Sequence, residues 1–347
     1  PQPPAPGAVP PSAAVYPGLD DLLKATPALD LVIVATPIQT HAPLALAALA
    51  TDAELYLEKP PVASLADFNR LREAAAGSGH GVQIGFQSLG SHALKAIEEL
   101  LAAGTIGTLE GISATGRWVR DRAYYKRSRW AGKRSINGVD VVDGVATNPL
   151  AHAVATALRI AGARTTADVA SVETELYRAN DIESDDTSVI RIRTVAGLPI
   201  TCALTICASE SVEPYVTLQG SAGTAVFHYT EDRLTVISNV GRIEETYGRD
   251  DLTENLLAHR AQGVPLISSL EDSGAFILVL EAVRTAPLPT PIDPAYVGWE
   301  GEGDAAHAVV AGIEEALEQA GRHHATFSEL GLPWAASAPA VFDVQAC

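Results

Sequence analysis

The order of elements in the first ninety residues constrains this chain most. Three short apolar runs, "DLVIVA" (30–35), "AELYLE" (53–58) and "GVQIGF" (81–86), are each preceded by a segment of helical character, "PGLDDLLKATPA", "HAPLALAALA" and "SLADFNRLREAAAGSG". Short apolar strands separated by helices give a parallel sheet with helices on its faces. The third helix has Ser64 three residues before Asp67 as a capping pair, and Gly77 near its end. After about residue 105 the period changes. "TSVIRIRTVAGLPITCALTICA" alternates Ile190 and Ile192 with Arg191 and Arg193, turns at Ala196-Gly197 and returns. That is an antiparallel pair with one wet face, and "EPYVTLQGSAGTAVFHYTEDRLTVIS" extends it. A proline-rich connection, "APLPTPIDP", leads to a last amphipathic helix expected over "DAAHAVVAGIEEALEQAG".

The fold class expected is therefore α/β plus α+β, a Rossmann-type parallel sheet domain in residues 1–92 followed by a mainly antiparallel domain in 93–347. A length of 347 residues suits two cores. The 42 acidic residues against 24 basic ones give a net charge of −18, so nucleic acid is not an expected partner. No apolar run reaches the roughly 18 residues of a membrane span. Three cysteines (Cys202, Cys207, Cys347), without C-x-x-C spacing, suit a reduced, cytoplasmic setting and no metal. Methionine is absent and Pro1 is not an initiator, which leads to the expectation that the natural protein is longer and that some neighbours here are not covalent neighbours in it.

"LYLEKPP" ends a strand on Glu58 and Lys59 before Pro60 and Pro61. Prolines stop a strand, and the carboxyl ends of parallel strands are where such sheets hold ligands. Lys59 thus stands at a rigid rim; the plainer reading is a solvated loop lysine.

The ordered set "VIVATPIQTHAPLALAAL", "LYLEKPP" and "VQIGFQ", followed by "DDTSVIRIRTVAGLPI" and "LQGSAGTAVF", resembles the Gfo/Idh/MocA family of nicotinamide-dependent oxidoreductases, from about Val15 to Trp334. The resemblance implies NAD or NADP as cofactor, held by Thr36, Pro37, His41, Glu58, Lys59 and Gln87. It implies a sugar, inositol or sugar-acid substrate and a homodimer or homotetramer. Lys59 would lie between nicotinamide and substrate, where a cation stabilises the developing oxyanion and relays its proton.

The family's second catalytic element, Asp-x-x-x-His, is matched by Asn148 and His152, expected on one helical face at i, i+4 spacing with Pro149 in the first turn. His152 would accept the proton; Asn148 can only hydrogen-bond a hydroxyl. A second register uses Asp143, which has no histidine four residues on. The other reading makes Asn148 a helix cap and His152 a core histidine. The residues after Gln87, "SLG", lack the arginine many relatives carry, and the family's Gly-x-Gly-x-x-Gly turn does not occur before "LVIVA", so that strand is expected as an edge.

Residues 116–134, "GRWVRDRAYYKRSRWAGKR", hold eight basic residues and one acidic among four aromatics. Arg117, Arg120, Tyr125, Lys126 and Trp130, with Arg127, are candidates to grip a sugar bearing a carboxylate or phosphate; a solvated loop or a subunit contact is the alternative. Three functions stay open: the dehydrogenase or reductase, an NAD-dependent glycoside cleavage, and a dinucleotide-binding sensor on the same fold.

Overall fold

The computed structural model describes residues 9–335 and 338–344; Cys347 lies outside them. In chain order the first elements are α1 (Leu19–Ala25), β1 (Leu31–Val34), α2 (His41–Leu49), β2 (Glu54–Leu57), α3 (Leu65–Ser78), β3 (Val82–Ile84) and α4 (Ala93–Ala102). The three strands form a parallel sheet in the order β1-β2-β3. β2 and β3 are buried throughout, whereas β1 is the edge strand, as expected, and leaves Ile33 55% exposed. α3 starts on the Ser64 hydroxyl, which accepts from the Asp67 amide, and stops at Gly79. Gly79 takes the left-handed conformation (φ 74°) that closes a helix, so the stop lies two residues beyond Gly77.

Next come β4 (Leu109–Val119), α5 (Arg122–Lys126), the small hairpin β5 (Ser135–Ile136) and β6 (Val139–Asp140), and α6 (Ala151–Ile160). β7 (Val169–Arg178), β8 (Thr187–Thr194), β9 (Pro199–Thr205), β10 (Cys207–Gly220), β11 (Gly223–His228), β12 (Arg233–Ser238) and β13 (Gly241–Thr246) follow. The chain then gives α7 (Leu252–Gln262), α8 (Gly274–Thr285), β14 (Thr290–Pro291), β15 (Val297–Glu300), β16 (His307–Val310), α9 (Ile313–His323) and β17 (Ala340–Phe342). The large sheet runs β13-β12-β11-β10-β4-β9-β8-β7-β14, with β17 also on β7. Only β4–β9 and β7–β14 are parallel pairs in it.

Strand alternation sorts its two faces. Ile112, Ala114, Val216, Leu218, Ala225 and Phe227 point inward and are fully buried in the main core, against which α6 and α8 pack. Ser113, Thr115, Thr217, Gln219, Thr224 and His228 face outward, and α9 covers that side over β4, β9 and part of β10. The long last helix expected over 304–321 is present only in its second half. Ala306, Ala308 and Val310 are buried at alternate positions, and β16 pairs with β15 instead. The period of two wins because a partner strand is available.

The second half of the chain also returns to the small sheet. α7 packs on β2 and β3, Gln83 donates to the Leu252 carbonyl (3.0 Å), and residues 268–270 run beside β3 through Ile84 N to Ser268 O and Leu270 N to Val82 O.

At the β10–β11 turn a Cβ on Gly220 would be driven into the Ile106 carbonyl oxygen. Backbone there cannot step aside as a side chain can. Gly220→Ala is therefore expected to cost roughly 1–3 kcal/mol, read as a lowered urea midpoint with unchanged slope.

Candidate active site

β1 and β2 end side by side, and the turns that follow them, Ala35–Ile38 and Glu58–Pro60, form one wall of a cavity of about 300 Å³. Trp130, Val141, Val142, Asp143, Thr147 and Asn148 form the other wall. The volume is at the small end of the ~300–1,000 Å³ of ligand sites.

Lys59 reaches across. Its ammonium donates to both the backbone carbonyl (3.0 Å) and the Oδ1 (2.9 Å) of Asn148. An ammonium has three N–H groups, so one is left for a ligand. The Asn148 amide in turn donates to Asp143 Oδ1 (2.6 Å), while Asp143 Oδ2 accepts from the Gly132 amide (2.7 Å). Burial lowers the Lys59 pKa, with Glu58 and Asp143 acting the other way. Burial raises that of Asp143, opposed by the bonds from Asn148 and Gly132. For each group burial makes the neutral form easier to reach than it is in water.

Just before Asp143, Val142 has φ 51°. A β-branched residue in that region costs about 1–3 kcal/mol. The turn is fixed by Val142 N to Arg134 O (3.1 Å) and by a short bond from the Thr147 hydroxyl to the Val142 carbonyl. Stored strain beside a buried carboxylate is a mark of a working site.

Thr36 and Pro37 line the cavity; the Thr36 hydroxyl pairs with that of Thr40 (2.7 Å). His41 is also at its edge, but its ring serves the frame: Nε2 lies 2.7 Å from the Thr36 carbonyl and Nδ1 3.0 Å from that of Pro60. It pins the two cavity turns together. Glu58 is half-buried and its pKa is raised by that burial, Lys59 opposing. Gln87 donates to the Tyr56 hydroxyl (3.4 Å) and is not among the lining residues.

Asn148 and His152 do not share a helical face. α6 begins at Ala151, with Leu150 as its N-cap. Asn148 precedes a proline, which keeps it out of the helical region. His152 is absent from the cavity lining and packs at the edge of Phe86 (5.8 Å between ring centroids) and near Tyr229. Thr156 donates to the Ser88 hydroxyl, which lies 3.3 Å from His152 Nδ1; the Ser88 proton is thus free for Nδ1 and the ring is neutral. Burial, then Lys59 and Arg249, depress its pKa to about 3.

A stability signature follows. Above pH 6.5 His152 is neutral folded and unfolded; below it only the unfolded chain takes the proton, until the folded ring titrates near 3. Stability is lost over that window. At pH 4.5 the loss is roughly 2–3 kcal/mol at most, since the residue keeps some exposure. His152→Gln is expected to flatten this dependence in urea titrations at pH 7.5 and 4.5.

Of the basic segment, Trp130 lines the cavity, and Arg127 lies close enough to act on Lys59 and Asp143. Arg117 instead pairs with Glu210 (3.9 Å) and Lys126 with Asp304, because a chain rich in acids supplies partners outside the cavity. Tyr125 is turned inward, its hydroxyl without a hydrogen-bond partner and its pKa pushed well up by burial. Arg120 stacks on Trp118 and Tyr124. Asp143 is the cavity residue that the histidine-centred register passed over; an acid between apolar Val142 and Gly144 was its signal.

The fold and the rim cavity define a dinucleotide-type α/β enzyme domain joined to an antiparallel one. Residues 8–86 match the model of the Gfo/Idh/MocA oxidoreductase family, NAD-binding Rossmann fold. No curated protein matches the chain. Among solved structures, the WlbA dehydrogenase from Bordetella pertussis, in complex with NADH and UDP-GlcNAcA, is similar with TM-score 0.62 and 20% identity over 80% of this chain and 83% of that one. UDP-N-acetylglucosamine 3-dehydrogenase GnnA from Acidithiobacillus ferrooxidans gives 0.60 and 15%, covering 78% and 82%. An oxidoreductase from Agrobacterium radiobacter, in complex with NAD+, L-tartaric acid and magnesium, gives 0.56 and 20%, covering 73% and 76%. At these identities the likeness is one of fold.

Proposed function

We propose that this protein is an NAD(P)-dependent oxidoreductase that moves hydride to or from a hydroxyl-bearing carbon of a sugar, inositol or sugar-acid derivative. The observation that carries the reading is Lys59, half-buried just past the end of a parallel strand and tied through Asn148 to Asp143 across the cavity. Thr36, Pro37 and the Glu58–Pro60 turn suit the nicotinamide end of a dinucleotide, since strand carboxyl ends in an open α/β sheet are its usual place. No glycine-rich turn precedes β1 among the described residues, so the residues present account for that end of the cofactor and not for its pyrophosphate.

A bound nicotinamide supplies the hydride acceptor or donor. Lys59 holds the substrate oxygen with its third N–H and stabilises negative charge as the O–H proton leaves. Asp143, with its raised pKa, takes that proton directly or through Lys59 and returns it in the reverse direction. Asn148 orients both and transfers nothing. His152, held neutral off the cavity, favours one other reading, a dinucleotide-binding sensor without turnover.

Cofactor fluorescence, with the full-length protein and a panel of polyols, sugars and sugar acids, separates these. Turnover supports the enzyme; dinucleotide binding without turnover on any of them supports the sensor; no binding removes both.

The reading includes a division near residue 92 and a homodimer or homotetramer formed through the outer sheet face that α9 leaves bare. Light scattering at micromolar concentration is expected to give a multiple of 36.2 kDa, and a monomer mass would reject the assembly.

A further inference from the structure

The basic segment contains a stack of cations and rings that reaches the Lys59 cavity at one end only, through Trp130 and the charge of Arg127. Arg120 lies over Trp118 (4.7 Å) and over Tyr124 (5.2 Å); Arg127 lies over Tyr124 (3.4 Å) and over Trp130 (4.9 Å). Cations and rings alternate from Trp118 to Trp130. Among the described residues neither guanidinium has a carboxylate within ion-pair distance: Arg120 donates to the Val119 carbonyl and Arg127 to that of Tyr124. Arg117, Lys126 and Lys133, in the same segment, are all paired with acids. Arg122, over Trp299, also lacks an ion pair among the described residues, but Arg120 and Arg127 are the two that share a ring, Tyr124.

Arg120 and Tyr124, with Val119, Asp121, Ala305 and His307, line a groove of about 470 Å³ separate from the Lys59 cavity. Its one carboxylate, Asp121, caps α5 by accepting from the Tyr124 amide (2.9 Å). His307 Nε2 is buried and without a hydrogen-bond partner, with the Glu300 carboxylate 3.7 Å away. The far end of the stack, Trp130, is a wall of the Lys59 cavity. The distance between groove and cavity is therefore bounded by three successive contacts, of 5.2, 3.4 and 4.9 Å.

From these contacts we propose that Arg120, in the groove, and Arg127, between Tyr124 and the Trp130 wall of the Lys59 cavity, form an anion subsite that holds the diphosphate of a substrate whose hydroxyl-bearing end enters that cavity. Guanidinium forks match phosphate oxygens in pairs, and stacking removes the rotamer freedom that binding would otherwise have to freeze. Two guanidiniums on one ring, Tyr124, suit a group carrying more than one negative charge. The reactive end of the ligand rests on the oxidoreductase reading; the anion subsite does not.

The test titrates the full chain with inorganic pyrophosphate and follows tryptophan fluorescence, since Trp118 and Trp130 flank the two arginines. A saturable change is expected, weakened by added salt. Kd is expected to rise tenfold or more in Arg120→Gln and in Arg127→Gln, to rise also in Arg120→Lys, which keeps the charge and loses the fork, and to stay unchanged in Lys59→Ala. Circular dichroism checks that each variant is folded. Absence of saturable binding at millimolar pyrophosphate, an unchanged Kd in folded Arg120→Gln or Arg120→Lys, or displacement by NAD+ would each overturn the subsite. A protein that binds pyrophosphate as expected but turns over no substrate keeps the subsite and loses the oxidoreductase reading.

Discussion

Lys59→Ala is expected to lower kcat by roughly 10²-fold or more while leaving dinucleotide affinity nearly unchanged, the size of effect that removal of a positioned proton-transfer group produces. The split arises because the ammonium spends two of its three N–H groups on Asn148 and has the third for the substrate oxygen. The cofactor-side turns are fixed by His41 bonds that Lys59 does not make. Single-turnover hydride transfer and a separate fluorescence titration of NADH distinguish the two effects. Equal losses in rate and cofactor affinity would assign Lys59 to binding alone. Undiminished turnover would remove it from the chemistry.

Asp143→Asn is expected to cost about 10²–10⁴-fold in kcat/KM for alcohol oxidation and to remove an acid limb from the pH profile. The sign follows from burial: the Asp143 pKa is raised, so the carboxylate is lost on acidification at a pH above the usual aspartate value, and with it the proton acceptor. Asparagine is also not neutral here. Asp143 accepts from both Gly132 and Asn148, and an amide offers one acceptor oxygen to those two donors. The Lys59→Ala, Asp143→Asn double variant should lose far less than the two single effects combined, because both residues serve one proton. Full additivity, or an acid limb that persists in Asp143→Asn, would place the base elsewhere.

The parallel strands were legible because β1, β2 and β3 are apolar runs closed by turn residues, and α3 because Ser64 and Asp67 form a cap. The Ala196-Gly197 hairpin was legible from alternation on either side of a turn signal. β16 was not, because "AHAVV" suits a helix locally and becomes a strand only beside β15. The place of Lys59 at a strand end was legible from its neighbours. The helical face expected to join Asn148 and His152 was misread, because regular spacing suggested a helix that starts three residues later. The fates of Arg117 and Lys126 were invisible to local reading, since Glu210 and Asp304 stand 93 and 178 residues downstream.

The return of α7 and residues 268–270 to β2 and β3 has a consequence for how the protein is made. A ribosome releases the small sheet long before its cover exists. Until residue 270 emerges, Gln83 lacks the Leu252 carbonyl and Asn255, and β3 has a bare edge. Contacts this distant in sequence slow folding and leave early strands open to wrong partners. A fragment ending near residue 92 should therefore be aggregation-prone, and limited proteolysis of the intact chain should release no stable N-terminal piece. The small parallel sheet is thus expected to mature last, although it is synthesised first.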